Sequence, residues 1–105
     1  MYKISYLPEV IKKQIPKLSL PVKRRIKKAI EKKLVIDPIA YGKPLRYSLK
    51  GLRRLRVDDY RIIYKIDEND EEVVIVKIAH RKEIYDWIIP ASSSSQLIDG
   101  FGSSS

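Results

Sequence analysis

Between Leu52 and Ala79 the chain alternates with a period of two, and it does so three times in succession with the same polarity. Leu52 to Val57 set Arg54 and Arg56 against Leu55 and Val57, and Tyr60 to Ile66 set Arg61, Ile63 and Lys65 against Tyr60, Ile62, Tyr64 and Ile66. Residues 73–79 set Lys77 against Val74, Val76 and Ile78. Successive side chains of a strand point to opposite faces, and a slip of one residue reverses the whole strand. Three strands that agree therefore specify a sheet with an apolar face toward a core and a basic face outward. Asp58-Asp59 suits the tight turn between the first two strands, and Asp67-Glu68-Asn69-Asp70 a polar hairpin loop before the third. Continued alternation carries Arg81 onto the basic face beside Lys77 and puts His80 on the core side, where a structural role suits it better than acid–base work.

The apolar face needs a cover, and the first half of the chain provides one. Tyr2 to Tyr6 alternate over a strand's length, and Pro8-Glu9 suit a first helical turn. A helix over about 8–15 puts Val10, Ile11 and Ile15 on one side, and Pro16 ends it. Over residues 20–35, Val22, Ile26, Ala29, Ile30 and Leu34 recur at helical spacing with Lys23, Arg24, Lys27, Lys28, Glu31 and Lys32 between them, an amphipathic helix with a cationic outer face. Pro38, Gly42 and Pro44 mark a loop that redirects the chain. The expected fold is α+β, with an N-terminal strand and a two-helix hairpin packed on a small antiparallel sheet, over residues 1–88. Residues 89–105 close the chain with a Ser-rich stretch too small and polar to pack, expected as a disordered tail or a non-native addition.

Charge narrows the choice of partner. Residues 1–88 hold all 22 Lys and Arg and 12 of the 13 acids, a balance of +10. Such a surface favours polyanions, with binding that weakens as salt rises. With no cysteine, neither a disulfide framework nor a thiolate nucleophile can form. No apolar run approaches the ~18 residues needed to span a bilayer, so the expected location is cytoplasmic.

Two basic-aromatic clusters stand out, Tyr60-Arg61-Ile62-Ile63-Tyr64 and His80-Arg81-Lys82-Glu83-Ile84-Tyr85. Guanidinium groups grip phosphate oxygens in a bidentate fork, while a phenol donates a proton or stacks on a base. In this strand order, the stretches Gly51 to Tyr64 and Ile78 to Tyr85 resemble the RelE/ParE superfamily of toxins. They resemble its RelE branch most, through Tyr60-Arg61 followed by His80-Arg81-x-x-x-Tyr85.

That resemblance implies a metal-independent, cofactor-free endoribonuclease that enters the ribosomal A site and cuts the mRNA codon there. It further implies neutralisation by a small, acidic RelB-like antitoxin. Carried over by position, Arg61 binds the phosphate, Arg81 assists the leaving 5′-oxygen, and Tyr85 orients or stacks on the substrate and shares in proton transfer. Lys43, Arg46, Lys50, Arg53, Arg54, Arg56, Lys65 and Lys77 are expected to contact RNA phosphates. RelE proteins can carry lysines in the second strand that serve as the base, and here Leu52 and Arg54 stand in those places. Arginine is a poor base, with a pKa above ~12. Lys50 is one candidate for that role, and the ribosome and mRNA are the other. Two alternatives stay open: a ParE-like inhibitor of DNA gyrase, and a non-catalytic RNA- or ribosome-binding module.

Overall fold

Asp37 opens the segment that joins the helical half of the chain to the sheet, and its side chain caps a helical turn by accepting from the Ala40 N–H at 3.1 Å. In the computed structural model, which describes residues 1–93, that turn is α2, Pro38–Tyr41. Asp at the cap and Pro at the first helical position start a helix as readily as proline breaks one, which is why the expected plain loop contains a turn. A two-residue edge strand follows, where Pro44 costs no ladder bond.

The sheet has five strands in the order β1-β5-β4-β3-β2: Lys3–Tyr6 as β1, Lys43–Pro44 as β2, Arg53–Val57 as β3, Tyr60–Asp67 as β4 and Glu72–His80 as β5. Neighbours pair antiparallel except β1, which lies parallel to β5. The α+β class and the N-terminal strand are as expected, and the parallel pairing of that strand with β5 is an addition. Ser19 caps α1, Leu20–Ala29, which continues as a wider turn through Leu34. Ile26, Ile30 and Leu34 of this helix are buried against Leu55, Ile62, Tyr64, Val73, Ile75 and Ile78 of the sheet. The first helical segment also forms a wide turn, Val10–Gln14, then a tight one, Ile15–Lys17. In a wide turn residues five apart align, so Val10 and Ile15 both pack inward while Ile11 is exposed, contrary to the even 3.6-residue reading.

Two expectations for the sheet are corrected. Strands β4 and β5 pair Ile63 with Lys77 and Tyr64 with Ile75, which leaves Val76 as an extra residue in β5. This bulge shifts the alternation: Val73 and Ile75 enter the main core, with Ile78 beyond the bulge, whereas Val76 packs on the opposite face and Val74 joins neither cluster. Moreover, the outward face is not left to solvent. A helix over Arg81–Ser93, α3, crosses it and buries Ile63, Ala79 and Ile84 in a second small core with Leu45, Leu52, Val76 and Trp87. Arg81 thus opens a helix instead of extending the last strand. The boundary expected at residue 88 falls inside α3, and the tail expected over 89–105 lies, beyond residue 93, outside the described residues.

A polar cluster around the buried Tyr64 hydroxyl ties α2 to the sheet. Tyr64, fully buried, donates from its hydroxyl to the Pro38 carbonyl at 2.6 Å. Arg53 donates from Nη2 to the carbonyls of Ile39 at 2.6 Å and Gly42 at 2.7 Å. Arg53, on the side of β3 opposite Arg54 and Arg56, thus commits its Nη2 to α2 and not to the RNA phosphate contact expected for it. Gly42 is required where it stands, because a Cβ there would lie 1.8 Å from the Tyr64 hydroxyl.

Three substitutions are expected to register in urea unfolding. Tyr64→Phe strands a buried carbonyl and costs about 1–3 kcal/mol, and Arg53→Met, which strips the donors from two carbonyls, costs at least as much. Gly42→Ala overpacks the same spot, for about 1–3 kcal/mol. Burial raises the Tyr64 pKa above the ordinary 10.0, partly opposed by Arg53, and burial with Glu31 raises that of Tyr6. Folded values above the unfolded one mean stability that is whole below pH 10.0 and lost as pH climbs through the folded values. Tyr64→Phe should flatten that alkaline decline, measured as unfolding free energy against pH.

Candidate functional site

Strands β3 and β4 carry the arginines, and α3 forms the opposing wall. Between them lies an open cleft of about 660 Å³ lined by Arg54, Arg61, Arg81, Lys82, Ile84, Tyr85 and Asp86. All three residues carried over as catalytic meet there. Arg61 is half-buried, and its Nη1 donates to the carbonyls of Asp58 at 3.0 Å and Tyr60 at 2.9 Å. These bonds fix its guanidinium across the mouth of the β3–β4 turn. Burial lowers the Arg61 pKa, and the charges of Arg56, Arg54 and Arg81 act in the same sense while Asp59 opposes them. The cleft therefore concentrates positive charge that repels itself, and a bound anion would relieve that repulsion.

Acidic residues of the turn hold the edges of this field. Asp58, in the left-handed conformation that Asp tolerates, pairs with Arg25 of α1 at 2.7 Å. Asp59 accepts the Arg81 N–H at its carbonyl at 2.7 Å, and its carboxylate lies 3.8 Å from Arg81 Nε. Both ion pairs are exposed and contribute little to stability; what they do is orient.

His80 sets the direction of α3. Its Nδ1 accepts from the Lys82 N–H at 3.2 Å, while its own N–H donates to Glu83 Oε1 at 3.3 Å, the reciprocal arrangement of a capping box. Its ring meets Tyr60 edge-on at 5.4 Å. The structural role expected for His80 fits this position, although the role is that of a helix cap. The spacing His80-x-x-Glu83 was the signal for α3. It would also have shown that Lys82 and Asp86, which sequence reasoning did not single out, share the cleft with Arg81 and Tyr85. Tyr85 is 63% exposed, too open to act as the packing anchor that Trp87 supplies instead.

The remaining basic candidates divide. Arg54 lines the cleft, and Lys43 and Arg56 line an adjoining concavity. Arg46 and Lys50 are exposed on the 45–52 connection and line neither. Lys65 stands with Asp67 and Glu68 at the β4–β5 hairpin. The Lys77 ammonium lies over the Trp87 ring at 5.7 Å. Among the described residues the one carboxylate trio close enough to hold a metal, Asp67, Asp70 and Glu72, lies at that hairpin and not in the cleft.

The chain is thus a small cationic α+β domain with arginines and a tyrosine gathered between a sheet and α3. The chain belongs to the RelE/ParE superfamily of type II toxin–antitoxin toxins, and its relatives put it in the RelE branch. The family model for the ParE toxin of type II toxin–antitoxin systems matches residues 9–85. A protein of Methanocaldococcus jannaschii named "Putative toxin RelE4" is 31% identical over 88 residues, covering 81% of this chain and 92% of that protein. The toxin RelG of Mycobacterium tuberculosis is 43% identical over 49 residues, 47% of this chain; the match spans little more than half, 56%, of that relative. The RelBE toxin–antitoxin complex of Mycobacterium tuberculosis contains a chain that superposes with a TM-score of 0.72 at 29% identity, over 76% of this chain and 98% of that one.

The cap can be tested apart from any activity. His80→Ala and Glu83→Ala should each cost about 1 kcal/mol and speed amide exchange at Ile84 and Tyr85, whereas Glu83→Gln, which keeps an acceptor, should do neither.

Proposed function

We propose that this toxin is a ribosome-dependent endoribonuclease that cuts mRNA in the A site. The convergence of Arg61, Arg81 and Tyr85 with Arg54 in one open cleft carries the reading. The ribose 2′-oxygen attacks the adjacent phosphorus, the bond to the 5′-oxygen breaks, and the products are a 2′,3′-cyclic phosphate and a 5′-hydroxyl. Arg61, pinned through one nitrogen, offers its other N–H groups to the non-bridging oxygens as negative charge builds. Arg81, loosely held by Asp59, stabilises the departing 5′-oxygen. Tyr85 stacks on or orients the neighbouring base. Proton transfer falls to the groups of the cleft able to carry it, the Tyr85 phenol, the Asp86 carboxylate and the Lys82 amine, and the reaction as written needs no metal.

An acidic antitoxin of the RelB kind is the proposed regulator. An apolar groove of about 260 Å³ along α1, lined by Tyr6, Ile15, Leu18, Ile26, Ile30 and Ile78 with Lys23 and Lys27 at its edge, suits an amphipathic segment bearing acids. No helix among the described residues is long and apolar enough to cross a membrane.

Because the matching family model is that of ParE, gyrase inhibition is the second reading. Primer extension on a reporter mRNA after expression without antitoxin separates them: cuts within codons are expected, and uncut message with a DNA-damage response would transfer the assignment. Arg61→Ala should slow single-turnover cleavage about 10²–10³-fold at saturating ribosomes, and Arg81→Ala by a comparable factor. If Arg81→Ala cleaved at full rate, its role would be lost.

A further inference from the structure

The cleft does not end at Arg54 and Arg61. Both side chains also line a neighbouring concavity of about 200 Å³ completed by Tyr41, Lys43 and Arg56. We propose that this is a second nucleotide subsite, in which Tyr41 stacks on a base adjacent to the one held in the main cleft and Lys43 and Arg56 bind the backbone phosphate beside it. The proposal rests on the RNA-cleaving reading above and extends it to the path of the strand.

Four observations carry it. The lining contains four cations and no carboxylate, so its field attracts an anion without an internal competitor. The register places the cations in two rungs, Lys43 opposite Arg54 and Arg56 opposite Arg61. Alternate strand residues are ~6.8 Å apart, a repeat suited to successive phosphates of an extended single strand. Tyr41, at the end of α2, is 50% exposed and belongs to neither core, so packing does not account for it. Its N–H donates to the Asp37 carbonyl at 3.3 Å, and the Lys33 ammonium sits 5.8 Å over its ring. An oriented aromatic among cations is the composition of single-strand binding surfaces. Finally, the space is smaller than the ~300–1,000 Å³ of a pocket for a whole small ligand; it suits one base with its phosphate, as a continuation of the cleft.

Single-turnover cleavage of mRNA on programmed ribosomes, with the full chain at increasing concentration, tests it. Base stacking is worth ~1–3 kcal/mol per base, so Tyr41→Ala should raise the half-saturating concentration about 5- to 150-fold, with Tyr41→Phe restoring it. Lys43→Ala and Arg56→Ala should each lower the salt slope of that concentration by about one. Thermal melting of the same variants checks that each is folded. If Tyr41→Ala left half-saturation unchanged, or lowered only the saturating rate, while Arg61→Ala abolished cleavage, the subsite would be refuted and the nuclease reading would stand. A wild-type chain that left message intact would refute both.

Discussion

The contact on which the rest of the structure depends is the attachment of α2 to the sheet through Tyr64 and Arg53. A buried phenol and a guanidinium satisfy three carbonyls of one short segment, those of Pro38, Ile39 and Gly42. Loss of the Tyr64 bond would leave the Pro38 carbonyl stranded away from water, and the two Arg53 bonds hold the same segment from its more open side. Several consequences follow. The chain leaves Gly42 aligned to pair Lys43 with Arg54, and Tyr41 is delivered to the rim of the basic surface. With Arg53 committed inward, pleating fixes Arg54 and Arg56 outward. A core interaction thus decides which arginines are offered to a ligand.

The bulge at Val76 and the roof formed by α3 make the second contribution. A flat basic sheet would bind a polyanion without choosing among its phosphates. By burying Ile63, Ala79 and Ile84, α3 converts half of that face into a wall and brings Arg81 and Tyr85 over Arg61. Depth and direction come from apolar packing; attraction comes from charge. The reciprocal cap at His80 and Glu83 joins the two, since it fixes where the wall begins.

Much of this was legible in the sequence, and the parts that were not have identifiable causes. The faces of β3 and β4 followed from strict alternation, as did the inward face of α1 from helical spacing. The phase of β5 did not, because a single unpaired residue shifts everything before it and a run of Val and Ile reads equally well in either phase. Arg53 looked like one more surface cation; its inward turn depends on carbonyls that only the folded chain brings near. Arg81 and Tyr85 were found through family likeness although the element carrying them was misjudged. A two-residue period extrapolated past His80 hid the helix start, and with it Lys82 and Asp86.

The acidic turn has an effect on how the cleft receives its ligand. Asp59 lies 3.8 Å from Arg81, and both side chains are well exposed. On the proposed reading this carboxylate is a counter-ion already beside Arg81, close to where a phosphate oxygen would bind. Ligand capture then becomes an exchange of one anion for another and not the filling of a bare cationic hole. The charge is never wholly unscreened, the guanidinium is held near its working position while it waits, and the displaced carboxylate passes into water at small cost. On the proposed reading the same arrangement would favour a phosphodiester held at several points by Arg61, Arg54 and Tyr85 over a weak single anion, which gains little by competing with Asp59.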